Sequence, residues 1–246
     1  MSATSVLAVG AHPDDVDAFC GGTLAALVER GVAVHVAVAT GGEGGIPGAA
    51  AEEARAVRLE EARRSAEILG ATSFHWLGLH DQAAAATLEA RAQLADLVRR
   101  LGANLLITHP PGDYHADHRA VHELVFAMRI GACAANVGTE RPLRSAPDLA
   151  YMDSAQGIGF EPEIWLDVTP TIETKWAMLR AHESQATLGG ETALFPLIES
   201  LARLRGDQRG CRYAEAFRGC HSWPTPDGGI RRLVLLVEGG LDSWGS

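Results

Sequence analysis

The chain has 246 residues, 47% of them hydrophobic, with 27 Gly and 11 Pro; that is enough for a sizeable core and excludes a mainly disordered chain. Acidic residues outnumber basic ones 31 to 21, and a formal charge of −10 argues against a nucleic-acid partner, because phosphate backbones are bound by basic surface. No apolar run reaches the length of a membrane span, the start lacks the basic region and long apolar run of a signal peptide, and Cys20, Cys133, Cys211 and Cys220 form no CxxC pair, so a cytoplasmic protein with reduced thiols and no stable membrane association is expected.

Ser5–Gly10 reads as a short, fully buried strand, and Leu24, Leu27 and Val28 at helical spacing follow it up to Gly31. Val32–Thr40 is valine-rich and fits a second buried strand. "GGEGGIPG" is a loop, Ala51–Leu69 a helix stopped by Gly70, Ser73–Leu79 a third strand, Leu88–Leu101 a helix and Asn104–Thr108 a fourth strand. A helix begins at Ala116 and runs to Met128. Ala134–Pro147 is rich in turn formers and would be an irregular, mobile cover over the site. Glu163–Thr169 is a strand candidate, Thr171–Glu183 and Leu194–Leu204 are helices, and the apolar run Arg231–Gly239 would be an edge strand or an interface element. The alternation of strand and helix predicts an α/β fold, a Rossmann-like three-layer sandwich with a mostly parallel sheet, and residues 1–246 are expected to form one domain.

Ligands of such sheets gather beyond the carboxyl ends of the strands. Two of those ends carry polar clusters: His12-Pro13-Asp14-Asp15 after the first strand, and the run from His109 through "PPGDYHADH" to His118 after the fourth. Imidazole and carboxylate are zinc ligands, and a catalytic site keeps three of them with one position open to water. His12 and Asp15 would chelate from one loop, with His118 completing the set. Asp113 or Asp117 would cap the helix that follows. Glu43 lies beyond the second strand, and His80 and Asp81, where the third strand ends, are secondary candidates for lining the cleft. The chain has no G-x-G-x-x-G, no GxxxxGK[ST] and no G-x-S-x-G, and its single lysine, Lys175, speaks against lysine-based chemistry.

"AHPDD" with "CGGTLA" behind it, "TGGEGG", Arg58 and Glu61 in an R-x-x-E pattern before "AEILG", and "PPGDYHADH" together resemble the LmbE/PIG-L family of metal-dependent N-acetyl-sugar deacetylases. "KWAMLRAHESQ" and "YAEAF" resemble further segments frequent in that family, so the likeness runs from about residue 5 to about residue 218. The resemblance implies that His12, Asp15 and His118 bind Zn2+; Fe2+ stays open as the alternative ion, since affinity order and metal availability both count. It implies Asp14 as general base and a charged His115 as oxyanion stabiliser or acid. Asp117 would hold His115 in its working tautomer. Arg58 would meet an acidic part of the substrate, unless it only pairs with Glu61. Glu43 would meet substrate hydroxyls, and His182 the substrate or a metal ligand. Val16 stands where many members have glutamate, the acid coming at Asp17, and Ala116 replaces a proline.

The implied reaction is hydrolysis of a small-molecule N-acetyl-sugar conjugate to acetate and a free amine. Either Asp14 or His115 would protonate the leaving nitrogen. Members of the family also suggest a homo-oligomer, a trimer or hexamer. The competing readings are hydrolysis of another small N-acyl bond by the same chemistry, a binding protein with a relic site, and a nucleotide-dependent oxidoreductase, which lacks its glycine fingerprint.

Overall fold

The structure, a computed structural model, describes residues 4–186 and 194–239. Strand β1 (Ser5–Gly10) leads into α1 (Asp15–Glu29), β2 (Ala33–Thr40) into α2 (Ala51–Leu69), β3 (Ser73–Leu79) into α3 (Leu88–Leu101), and β4 (Leu105–Thr108) into α4 (Ala116–Gly131). Then come β5 (Asp148–Met152), β6 (Ile164–Asp167), α5 (Ile172–Arg180), the single turn α6 (Glu183–Ala186), α7 (Leu194–Arg209), β7 (Ala214–Gly219) and α8 (Gly228–Glu238). The seven strands lie in the order β3-β2-β1-β4-β5-β7-β6. The pairs from β3 to β5 are parallel, and β7 runs antiparallel to both of its neighbours. The expected α/β sandwich with a mostly parallel sheet is therefore what forms.

The run "SVLAV" has no polar alternation because β1 is covered on both faces. Val6 and Ala8 face one apolar layer, under α1, α2, α5, α7 and α8, while Leu7 and Val9 face the other, under α3 and α4. Gly70 and Gly102 end α2 and α3 with φ of 76° and 58°, a left-handed turn that glycine enters without a Cβ penalty. Among the described residues no helix is long and apolar enough to cross a membrane.

Arg231–Gly239 is not an edge strand. It belongs to α8, whose Ile230, Leu233, Val234 and Val237 face the core at helical spacing while Leu235 is turned outward. Ala134–Pro147 is irregular, but it does not cover the site. Arg99, buried, donates to the carbonyls of Gly131, Ala132, Ala134, Val137 and Glu140, and Asp96 accepts the Thr139 and Glu140 amides. The helix expected over Thr171–Glu183 breaks at Ala181 and His182, between α5 and α6.

"CGGTLA" lies inside α1, and its glycines allow a close approach. A Cβ on Gly22 would sit 2.8 Å from Cβ of Val168. Beside it the amides of Gly22 and Thr23 donate to the two oxygens of Glu215, at 2.9 and 2.7 Å. Lys175 Nζ donates to Glu215 at 2.5 Å and to the Ala18 carbonyl at 2.8 Å. Both charged groups are buried. This pair from α5 and β7 clamps α1, the helix whose first residue is Asp15, and so connects "KWAMLRAHESQ" and "YAEAF" to the first acidic block. Breaking a buried pair leaves an uncompensated charge, so Lys175→Met is expected to lower the unfolding free energy by about 3–5 kcal/mol. Urea denaturation measures it; a loss of less than about 1 kcal/mol would remove the clamp from the account.

Candidate metal centre and active site

β1 and β4 are adjacent in the sheet, yet their crossovers leave on opposite faces, since α1 and α4 pack in different layers. That is a topological switch point, where the loops diverge and leave a crevice. A cavity of about 260 Å³ opens there, lined by His12, Asp14 and Asp15 after β1, Gly44 and Gly45 after β2, Asp81 and Gln82 after β3, and Tyr114, His115 and His118 after β4. The expectation that these segments share one rim holds.

His12 Nδ1 and His118 Nε2 face each other at 3.3 Å. Asp15 places Oδ2 3.4 Å from the first and Oδ1 3.3 Å from the second. Bonds of about 2.0–2.2 Å at tetrahedral angles separate neighbouring ligand atoms by roughly 3.3–3.6 Å, so the three donors stand at the spacing of atoms sharing one divalent ion. Their electrostatics ask for the same thing. Burial disfavours a charged His12, but Asp15 and hydrogen bonds to Asp117, Asp15 and Asp81 outweigh it and push its pKa up to about 12. Burial also opposes charge on His118, and Asp15 and Asp113 still raise it to about 9. Burial would raise Asp15, yet His118, His109 and His12 hold it well below the usual carboxylate range. The carboxylates demand positive charge at the point where two imidazole nitrogens meet, and a divalent ion supplies it without two N–H groups colliding.

Further groups of three donors involve the same residues: His12 and His118 with His115, Asp15 and His118 with His109, and His12 with Asp81 and Asp117. His109 is fully buried and its Nε2 already accepts the Ala11 amide at 3.0 Å, so a centre there would have no open position. Burial and the neighbouring His118 lower the His109 pKa to about 4, and its ring stacks on His118 at 3.9 Å. Asp81 and Asp117 already accept backbone amides, from Gly44, Gln82 and Ala84. Those two carboxylates instead stand behind His12, with Asp81 Oδ1 3.2 Å and Asp117 Oδ2 3.4 Å from Nε2, which turns Nδ1 toward the shared position. Asp113 does the same for His118, with Oδ1 2.9 Å from Nδ1. Gln82, at φ 61°, is held in this unusual backbone state by both Asp81 and Asp117.

Asp14 occupies the N-cap position of α1 but makes no cap hydrogen bond; its side chain lines the cavity instead. Its Oδ1 accepts from Arg58 Nη2 at 3.1 Å, while Arg58 Nη1 donates to the Gly42 carbonyl at 3.0 Å. "GGEGG" wraps this guanidinium: a Cβ on Gly42 or Gly45 would lie 2.2 Å from Nη1. His115 caps α4 itself, its Nδ1 accepting the Asp117 amide at 3.2 Å. A ring that accepts at Nδ1 carries its proton on Nε2 and is neutral, where a charged His115 was expected. The Asp117 group holding that tautomer is its backbone N–H, because its carboxylate is turned to His12 and the 82–84 loop.

Glu43 turns to Arg55 at 3.9 Å and His80 at 3.7 Å and does not line the cavity. His182 is buried and does not line the cavity either; it lies 2.6 Å from Asp17 Oδ2, which also accepts from Ser65. Asp17, the displaced acid, thus ties α1 to α2 and to the break before α6. Sequence reading missed the roles of Asp113, behind a ligand candidate, and of Tyr114, on the cavity wall; a carboxylate two residues before "HADH" was the available signal for Asp113.

A family model described as GlcNAc-PI de-N-acetylase, PIG-L, matches residues 7–129, from β1 through α4 and therefore all four rim loops that carry the cluster. The chain belongs to the PIG-L family. It is 30% identical over 224 residues to a diacetylchitobiose deacetylase of Thermococcus kodakarensis, covering 87% of this chain and 82% of that one. The structure of the N,N'-diacetylchitobiose deacetylase of Pyrococcus horikoshii superposes with a TM-score of 0.79 at 26% identity, over 88% of this chain and 84% of that one. A 4-oxalmesaconate hydratase of Pseudomonas putida is 29% identical over 83% of this chain and 80% of its own length.

Carboxylates behind ligating histidines commonly contribute 10–100-fold in metal affinity. Asp113→Ala is therefore expected to weaken binding of a divalent ion about 10–100-fold, read by competition with a chromophoric chelator; unchanged affinity would exclude Asp113 from supporting His118.

Proposed function

We propose that this PIG-L family member is a zinc-dependent amide hydrolase that removes the acetyl group from an N-acetylated amino sugar, with His12, Asp15 and His118 as the ligands. The observation that carries this reading is the mutual spacing of His12 Nδ1, Asp15 and His118 Nε2 on the wall of an open cavity that Asp14 and His115 also line. A divalent ion held there supplies Lewis acidity toward the acyl oxygen and makes water a nucleophile near neutral pH.

Everything else falls to the chain's own groups. Arg58 fixes Asp14 Oδ1, which leaves Oδ2 to take the proton of the attacking water. In this reading the same carboxyl then hands that proton to the leaving nitrogen, and the acceptor role of His115 Nδ1, which leaves its Nε2–H for the acyl oxygen, supports giving that step to Asp14. That N–H donates to the acyl oxygen as charge develops on it, the kind of preorganised donor that lowers such barriers most. Asp117 keeps His115 in this state through its amide. The products are acetate and a free amine. Iron in place of zinc would leave these roles unaltered.

The reading extends to a cytoplasmic homo-oligomer without a nucleic-acid partner. The acid excess supports the lack of a nucleic-acid partner, and the exposed apolar side chains of Phe126, Ile130 and Trp223 support the oligomer.

General acid–base help of this kind is worth roughly 10²–10⁴-fold. Asp14→Ala is expected to keep its metal and lose that factor in kcat for acetate release from an N-acetyl amino sugar. A variant with full turnover would exclude Asp14 as base. Metal-loaded wild-type protein that hydrates an activated carbon–carbon double bond and releases no acetate would replace the hydrolase reading with that of the Pseudomonas putida relative.

A further inference from the structure

We propose that the part of the substrate beyond the reacting amide is uncharged, a neutral sugar glycoside and not an anionic conjugate; this rests on the deacetylase reading above. The resemblance drawn from the sequence pointed Arg58 at an acidic substrate group. The geometry points elsewhere. Arg58 is the only lysine or arginine among the described residues that line the cavity. It is 4% exposed, its Nη2 is engaged by Asp14 and its Nη1 by the Gly42 carbonyl, and the Gly42 and Gly45 backbones close on the guanidinium. Swinging it toward a ligand would leave Asp14 without its partner and open the packing of that loop.

The other fixed charge lining the cavity beyond the metal position is negative. Asp81 lines the cavity with Oδ2 held by the Gly44 amide and Oδ1 by His12. Away from the metal position, a carboxylate or phosphate on the substrate would find no free cation and would face Asp81. Like charges brought together in a cleft repel, which here means discrimination of roughly tenfold or more. The cavity is also lined by the apolar side chains of Phe19, Leu194, Leu197 and Ile198, and by Tyr114, which is 65% exposed. A lining that mixes polar and apolar side chains matches a pyranose, which has hydroxyls at its edge and C–H groups on its faces. A multiply charged aglycone has no such match.

The test compares kcat/KM for acetate release from N,N'-diacetylchitobiose and from the malate glycoside of N-acetylglucosamine on metal-loaded protein. The neutral substrate is expected to lead by at least tenfold, and raising the salt should narrow the gap as the repulsion is screened. Leu197→Arg, at a half-buried apolar position lining the cavity, should shift the ratio at least tenfold toward the malate substrate. Equal or better turnover of the malate glycoside by the wild type would overturn the inference and leave the deacetylase reading standing. No acetate from either substrate would sink the deacetylase reading. Calorimetry of the two deacetylated products on the same protein then still decides the charge preference: tighter binding of the uncharged-aglycone product supports the inference, and equal or tighter binding of the malate product refutes it.

Discussion

Asp15 is a carboxylate enclosed by three imidazoles, those of His12, His109 and His118, with the His12 amide on one of its oxygens. An isolated carboxylate in such a place would be costly, since buried charge persists only when it is paired and hydrogen-bonded. The rest of the site is arranged around that condition. β1 delivers Asp15 to the rim, β4 delivers His109 and His118 to face it, and the adjacency of those two strands makes the encounter a matter of topology. The Lys175–Glu215 clamp and the Asp17–His182 contact then hold α1 from behind, so the acidic turn cannot drift from its partners.

Five acids crowd the rim, and each has a separate assignment. Asp15 faces the proposed metal position, Asp113 backs His118, Asp81 and Asp117 back His12, and Asp14 pairs with Arg58. That distribution lets the block be acidic without leaving like charges unscreened. It also explains the glycine loop after β2. In many α/β proteins such a loop cradles phosphate with its amides. In this chain it closes on a guanidinium, and the arginine so enclosed pairs with Asp14, the proposed general base.

Much of this was legible in the residues. β1 through α4 follow from apolar periodicity and glycine stops, and the pairing of "AHPDD" with "HADH" brought the right loops together. What failed did so for identifiable reasons. The run "LVLLV" is apolar in either period, and only its buried set, Ile230, Leu233, Val234 and Val237, reveals a helix. β5 and β7 are 5 and 6 residues long, and β7 carries Glu215 and Arg218 inside it, so neither shows a pattern. The tautomer of His115 depends on an amide contact that appears only once the helix cap forms. Arg58 could not be told apart as a substrate or base partner, because that turns on the backbone path of a glycine loop.

The central claim is positional, and anomalous diffraction from crystals soaked in zinc tests it most directly. The account predicts one strong peak within about 2.0–2.3 Å of His12 Nδ1, an Asp15 oxygen and His118 Nε2. A peak at Asp81 and Asp117 on the far side of His12, or none in the cavity at full soaking, would contradict it.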